Sequence, residues 1–454
     1  MSLILNIPSL SLPQSSRQSL VSSWKLPSSA ILLWELPFWS VLLFGSLVPA
    51  TMVSRQEWFG VPMRFSDILA LFTAILYGAV AFVNFVILRK VHVSKGISLS
   101  TICLFIYGLV RLFNNSLELE DQVAMAFALL LAATAPIQAA GILSGYDALQ
   151  TRGFVNRLTM FLAIVSLIYT AESVFGLGLR TEDKHNLATD FGIQRVRGPL
   201  YGPSTGYLLL LPAIGWALQS FFNTSTNRFY AVFTTVCLLS AFLGLGSRAG
   251  MIILVLYMAS LATLLKKMKS REVTALILAS FSVGVGFLIY SQADTQRLTK
   301  FEDTHRQQTH ETAWNILRSG ESVSWIAGQG YGSIWPWYRR DTLRAEWIAL
   351  GDNTVATGYG ASLYHSHSTI LELAVEFGLI GLLWLGYLSA RITKLAFMPW
   401  GDTAWKVFAL SLVISLFSLG FDLFLFKEVR VNSVWWLFVF AAFQMRPHSG
   451  AAVS

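Results

Sequence analysis

The chain has 454 residues, of which 54% are hydrophobic and 13% charged, and its mean hydropathy is +0.57. These values exclude an ordinary soluble domain and indicate a protein that crosses a membrane many times. The net charge of +8 is not accompanied by a basic groove with interleaved aromatic residues, which excludes a nucleic-acid partner. Cys103 and Cys237 lie in separate apolar stretches, so neither a disulfide nor a cysteine-based metal site is expected.

About twelve apolar stretches have, or nearly have, the roughly 20 residues that a helix needs to cross a bilayer. They are centred near residues 40, 77, 105, 132, 167, 209, 237, 257, 283, 380, 415 and 440. The predicted fold is therefore an all-α polytopic integral membrane protein. Its expected parts are a cytoplasmic N-terminal tail (1–30), nine membrane helices (31–291), one large outward-facing loop with short helices (292–367), three further membrane helices (368–446) and a cytoplasmic C-terminal tail (447–454).

Lysine and arginine collect in alternate turns, and short turns rich in these residues stay on the cytoplasmic side of a membrane. With the N-terminus inside, the cytoplasmic turns are those that contain residues 89–95, Arg152 and Arg157, Arg228, residues 266–272 and residues 391–394. The segment 177–198, the tight turn 246–248 and the long loop 292–367 then face outward. Residues that are distant in sequence are thus expected to meet on one outer face.

Three arginines stand in outer turns next to apolar stretches. Arg195 and Arg197 precede a Gly- and Pro-rich segment that leads into a helix, and Arg248 lies between two spans with hardly any turn around it. A guanidinium donates two parallel hydrogen bonds to a phosphate and stays charged. Two structural interpretations compete with phosphate binding: Arg195 or Arg197 would anchor the chain at the membrane surface, and Arg248 would cap the preceding helix.

The long outer loop contains an amphipathic pattern, a glycine run and several aromatic residues. Apolar positions within residues 313–317 predict a helix that lies at the surface. A glycine at every second position from Gly328 to Gly332 then frees the backbone. The aromatic side chains either stack on sugar rings or form a belt at the lipid headgroups. They are Trp335, Trp337, Tyr338, Tyr359 and Tyr364.

Two histidines, His365 and His367, stand where this loop meets the next apolar stretch. Thr369 and Glu372 fit a capping box, which would begin a helix directly after the histidines and make Glu372 a structural residue. Glu376 lies one turn deeper, where a carboxylate must pair with another group, hold a proton or face a wet cavity.

Three interpretations of the histidine pair are open. Metal binding would need a third ligand such as His310, and no recognisable ligand spacing exists. The pair could be two surface histidines. Alternatively, one histidine is a general base, because an unperturbed imidazole pKa of about 6.5 allows it to take a proton from a hydroxyl near neutral pH. We favour the general base and expect no metal.

The order of these motifs resembles the O-antigen ligase and polymerase superfamily of bacterial surface-glycan enzymes, which are membrane glycosyltransferases of the GT-C kind. The resemblance covers roughly residues 190–390. It consists of Arg-x-x-Gly before a Gly-Pro turn, Ser-Arg-small between two spans, Gly-x-Gly-x-Gly, His-x-His, and Leu-x-x-x-x-Glu-x-Gly-x-x-Gly. In this chain the five motifs begin at Arg195, Ser247, Gly328, His365 and Leu371. Where the family often has an arginine four residues before a loop tryptophan, this chain has His310, and Arg306 one turn earlier is its substitute.

The resemblance implies transfer of a glycan from an undecaprenyl-diphosphate donor to a hydroxyl acceptor, at the periplasmic face of the bacterial inner membrane and without a cofactor. His367 would be the general base, oriented by His365. The residues that would bind the diphosphate are Arg195, Arg197, Arg248 and Arg306, and those in supporting positions are His310, Tyr364 and Glu376. The acceptor is lipid A core in a ligase and the growing lipid-linked polysaccharide in a polymerase, and the sequence does not decide between them.

A lipid-linked glycan flippase or another multi-span transporter is the alternative function. Such a protein would be expected to have internal repeats and broken helices in matching halves, with ionisable residues near the middle of the membrane. No such repeat is visible in the sequence, and the polar residues gather at one face.

Overall fold

A computed structural model describes the fold for most of the chain. The described residues are 28–47, 56–58, 61–63, 65–84, 95–112, 119–177, 196, 206–222, 227–245, 247–265, 304–319, 322–335, 354–357, 360–363, 366–398, 402–421, 425–426 and 429–446. The α-helices within them are α1 (Ser28–Leu47), α2 (Phe65–Phe82), α3 (Lys95–Leu112), α4 (Leu119–Ser144), α5 (Ala148–Phe175), α6 (Gly206–Gln219), α7 (Arg228–Gly244), α8 (Arg248–Leu265), α9 (Thr304–Ser319), α10 (Ser322–Ala327), α11 (Thr369–Glu376), α12 (Gly378–Ala396), α13 (Thr403–Ser415) and α14 (Val429–Gln444).

Five helical stretches among these residues are long and apolar enough to cross a membrane. They are Phe65–Phe82, Leu119–Ser144, Ala148–Phe175, Gly378–Ala396 and Thr403–Gly420. Shorter apolar helices are Ile31–Gly45, Gly96–Leu112, Gly206–Phe222, Arg228–Gly244, Ala249–Leu264 and Val431–Gln444. Every predicted span overlaps one of these helices except the span near residue 283, which lies outside the described residues. The prediction of a helical membrane protein is confirmed, and twelve crossings stay a prediction.

Polar residues mark where several apolar helices begin. Asp147, Asn227 and Asp402 precede α5, α7 and α13, and each accepts a hydrogen bond from a backbone N–H in the first turn. These bonds satisfy donors that have no partner within the helix. Gly176, with a φ of 61°, ends α5 in the left-handed conformation that favours glycine.

One side of the helical bundle contains Tyr146, in the turn between α4 and α5, and is named the Tyr146 side. The Tyr146 hydroxyl donates to Glu35 in α1 at 2.8 Å, and the Tyr146 carbonyl accepts from Gln444 at the end of α14. The first half of α1, this turn and the end of α14 therefore lie together. They adjoin the N-terminal tail, the turn that contains Arg152 and the C-terminal tail, which the sequence predicts to be cytoplasmic.

The opposite side contains His367 and is named the His367 side. Tyr107, near the end of α3, donates to the carbonyl of Ala327 after α10 at 2.6 Å. Tyr331 donates to the carbonyl of Phe426, between α13 and α14, at 3.1 Å. The part of the long loop around residues 327–331 thus packs on the ends of helices from distant parts of the chain.

Two short antiparallel hairpins accompany the helices, and the sequence analysis did not predict them. β1 (Gln56–Trp58) pairs with β2 (Val61–Met63), and β3 (Thr354–Thr357) pairs with β4 (Gly360–Leu363). β4 packs against α9. The long loop therefore has secondary structure of its own, as its length predicted.

Candidate active site

His367 lies in a tight turn directly before α11 and is partly buried. Its φ of 51° is in the left-handed region, and no other non-glycine residue in the described part of the chain has a positive φ. This conformation costs an L-residue roughly 1–2 kcal/mol. Surrounding contacts must therefore impose it, and strained residues of this kind cluster at functional sites.

Two buried serines hold the His367 turn. Ser366 Oγ donates to the carbonyl oxygen of Ser368 at 2.8 Å, and the Ser368 N–H donates back to Ser366 Oγ at 3.3 Å. Ser368 Oγ donates to the carbonyl of Leu419 at 3.4 Å and accepts from the N–H of Leu371 at 3.3 Å. The turn is thus fastened both to α11 and to the helical turn that follows α13.

The predicted capping box of Thr369 and Glu372 is wrong. Ser368 is the residue that caps α11, because its hydroxyl accepts the hydrogen bond from the first turn. Glu372 is instead fully buried, on the same face of α11 as Glu376. Ser368 and Thr369 both carry a hydroxyl that could cap a helix. The hydrogen bond from Ser368 to the carbonyl of Leu419 holds Ser368 at the start of α11.

Glu376, at the end of α11, is buried with an exposed fraction of 1% and accepts three backbone hydrogen bonds. The donors are the N–H groups of Gly332 at 2.6 Å and of Ile334 and Trp335, each at 3.3 Å. Glu376 lies outside the candidate span Gly378–Ala396, because α11 ends before that span begins. Burial raises the pKa of the Glu376 carboxyl to about 7, while the hydrogen bonds it accepts act in the opposite direction.

At the break between α11 and α12, the backbone of the long loop is in direct contact with the backbone of the helices. Gly328 and Gly378 have φ values of 71° and 65°. A Cβ atom at Gly328 would overlap the carbonyl oxygen of Glu376, and one at Gly378 would overlap the carbonyl oxygen of Ile326. The Gly330 N–H donates to the carbonyl of Glu376 at 2.9 Å. Only glycine permits both the positive φ and the close approach.

Residues Gly328–Trp335, named the glycine segment, are also tied to the ends of other helices. Arg111, in the last turn of α3, donates from Nη2 to the carbonyl of Gly328 at 2.8 Å. Tyr331, within the segment, bonds to Phe426. The sequence pattern does not indicate a role for Arg111 at the site, because an arginine at the end of a span has the pattern of an interfacial anchor. Its contact depends on a loop more than 200 positions later in the chain.

Trp335 ends the glycine segment and is fully buried. It packs with Ala313, Ile316 and Val375 in a small hydrophobic cluster, separate from the core among the membrane helices. The interpretation of Trp335 as a sugar-stacking or headgroup residue is therefore wrong. The helix predicted from the 313–317 pattern is confirmed as α9, and the cluster holds α9 against α11.

The predicted diphosphate-binding and supporting residues are only partly within the described chain. The residues outside it are Arg195, Arg197, Tyr364 and His365. Arg248 and Arg306 lie in the first turns of α8 and α9, where their backbones alone are described. His310 lies on α9 with its side chain exposed. The role of these residues in phosphate binding stays a prediction.

Val196 shows where the chain between α5 and α6 meets the bundle. Its N–H donates to the carbonyl of Gly244 at 2.8 Å, and its side chain packs so closely that a Cβ at Gly244 would overlap it. Tyr230, near the start of α7, bonds to the carbonyl of Asn156, near the start of α5. Because α5 begins on the Tyr146 side, α7 runs from there to the His367 side. Residue 196 and the turn before Arg248 therefore meet on the His367 side.

Among the described residues, no three His, Cys, Asp or Glu side chains come together as a metal site. His365, the other histidine of the pair, lies outside the described residues. A comparison of the chain with models of known protein families finds no match, and a comparison with curated proteins finds none either.

Proposed function

We propose that the protein is a membrane glycosyltransferase of the O-antigen ligase or surface-polysaccharide polymerase type. It transfers a glycan from an undecaprenyl-diphosphate-linked donor to a hydroxyl acceptor on the periplasmic side of the bacterial inner membrane. The observation that supports this proposal most is the His367 turn, where a partly buried imidazole sits on a strained backbone before α11, the short helix that leads to the candidate span Gly378–Ala396.

In the proposed reaction, His367 takes the proton of the acceptor hydroxyl while the hydroxyl oxygen attacks the anomeric carbon of the donor. The bond between that carbon and the diphosphate breaks, and the diphosphate leaves with the bonding electron pair. An imidazole suits this step because its ordinary pKa of about 6.5 keeps part of it neutral near pH 7. Direct attack inverts the anomeric configuration.

The diphosphate leaving group requires fixed positive charge, which is worth most in a site from which water is excluded. We assign this role to Arg195, Arg197, Arg248 and Arg306, with His365 orienting the base and Tyr364 in a supporting position. The bond from Val196 to Gly244 supports the assignment, because it joins the chain between Arg195 and Arg197 to the end of the helix that precedes Arg248.

His367→Asn tests the base assignment without disturbing the turn. Asparagine adopts the left-handed conformation more readily than most L-residues, so the variant keeps the backbone and loses the base. We expect transfer to fall by about 10²-fold or more, with an unchanged melting temperature in detergent. His367→Ala is expected to be equally inactive, and His448→Asn in the C-terminal tail is the matched histidine control.

The assay supplies purified protein with a lipid-linked repeat unit, with and without lipid A core, and separates the products on a gel. A ladder indicates a polymerase, and a core conjugate indicates a ligase. Neither product from the wild-type protein would contradict glycan transfer and favour a transporter. A normal yield of product from His367→Asn would contradict the base assignment alone.

A further inference from the structure

Glu372 and Glu376 lie four residues apart on the same face of α11, and both side chains are buried. Three backbone N–H groups of the glycine segment donate to the carboxyl group of Glu376. Glu376 is therefore the point at which α11 holds the end of that segment.

Both oxygens of Glu376 accept backbone hydrogen bonds, one from Gly332 and the other from Ile334 and Trp335. Three N–H donors favour the ionised form of a carboxyl group. They oppose the effect of burial, which raises the pKa of Glu376.

The three amides that Glu376 binds determine how the end of the glycine segment is placed. Trp335 follows directly and packs against Ala313 and Ile316 of α9. α9 in turn carries Arg306 in its first turn, and α11 begins directly after His367. The carboxylate of Glu376 thus contributes, together with this hydrophobic cluster, to the position of α9 relative to the His367 turn.

We propose that Glu376 is a positioning residue, whose carboxylate holds the glycine segment and α9 in place relative to His367. The effect on glycan transfer rests on the proposed function, whereas the hydrogen bonds do not. Among the described residues, Tyr107 and Arg111 donate to backbone carbonyls at or next to the start of this segment, and Tyr331 within it donates to the carbonyl of Phe426.

Hydrogen–deuterium exchange of the amides between residues 330 and 335 tests the proposal without any need for activity. The experiment uses purified full-length protein in lipid nanodiscs. Glu376→Gln turns an N–H donor toward backbone N–H donors, so exchange at Gly332, Ile334 and Trp335 is expected to rise about tenfold or more. Glu372→Gln leaves the three hydrogen bonds that Glu376 accepts in place, so exchange is expected to stay within about threefold of wild type.

Kinetics separate positioning from general destabilisation. With the lipid-linked donor at saturating concentration, kcat is expected to fall about tenfold or more in Glu376→Gln relative to Glu372→Gln, because a displaced site lowers the rate of the chemical step. Melting temperatures of the two variants establish that both proteins are folded. If Glu376→Gln does not fold, Glu376→Asp, which keeps the charge but is one methylene shorter, is expected to show partial loss of amide protection.

Two results would overturn the proposal. Wild-type protection in Glu376→Gln would show that the carboxylate does not hold the segment, and equal loss of protection in both glutamine variants would show that the three Glu376 hydrogen bonds are not what holds it. Protected amides in a wild-type protein that transfers no glycan would support the positioning role and refute the proposed function.

Discussion

Glu35 on the Tyr146 side and Glu376 on the His367 side are both buried carboxylates, yet their partners differ in kind. Glu35 accepts from the Tyr146 hydroxyl at 2.8 Å, the Trp39 indole at 3.0 Å and Arg157 Nε at 3.1 Å, and it forms an ion pair with Arg157. Glu376 accepts from backbone N–H groups of the glycine segment. The first carboxylate is paired with a cation, and the second is held by amide dipoles.

The two kinds of partner have different consequences. Side-chain partners from α5 and from the turn before it tie α1 to the rest of the helical bundle. Backbone partners instead fix the path of a segment that lacks regular secondary structure. We therefore expect substitutions on the Tyr146 side to reduce the free energy of unfolding, and substitutions around the glycine segment to reduce transfer at nearly constant stability.

Glu35→Ala is expected to have the largest effect on stability. It leaves Arg157 without its counter-charge and removes the acceptor of Tyr146 and Trp39. Breaking a buried ion pair from one side costs about 3–5 kcal/mol, and the 41% exposure of the Arg157 side chain favours the lower end of that range. Thermal unfolding in detergent measures the loss.

The matched control for Glu35→Ala removes both charges. The double variant Glu35→Leu with Arg157→Met is expected to recover most of the lost stability, because no unpaired charge remains buried. A melting temperature of Glu35→Ala equal to that of the wild type would show that this cluster does not stabilise the bundle.

Gly328→Ala is expected to have an intermediate effect, chiefly on transfer. The new Cβ would overlap the carbonyl oxygen of Glu376, and a φ of 71° costs an L-residue roughly 1–2 kcal/mol in addition. Gly386→Ala in α12 is the control, because no atom lies within 4 Å of a Cβ at that position. Initial rates of transfer should fall in the first variant alone, and equal rates in both would refute the close approach at the α11–α12 break.

Arg111→Met is expected to have the smallest effect on the melting temperature. It removes one hydrogen bond from a charged donor to Gly328, worth about 1.5 kcal/mol, and leaves no buried carboxylate behind. Arg157→Met, the same change on the Tyr146 side, leaves Glu35 buried without its counter-charge and should lower the melting temperature more. If the two variants melt alike, the distinction between the two sides is wrong.

Local patterns in the sequence predicted much of the helical structure. Apolar length predicted the membrane helices that the structure describes, and the spacing within residues 313–317 predicted α9. Trp335 and Glu372 were interpreted wrongly for a common reason. An aromatic residue in an outer loop and a glutamate three residues after a threonine have the same local pattern whether they face solvent or a buried cluster.

The sequence by itself determined the helical membrane character of this protein and the position of the histidines at the start of an apolar stretch, because both depend on local hydrophobicity and spacing. Only the tertiary structure decided that Ser368 caps α11, that His367 has a left-handed backbone and that Glu376 binds the glycine segment. Each of these features depends on contacts between residues that are far apart in the chain, such as Ser368 with Leu419 and Glu376 with Gly332.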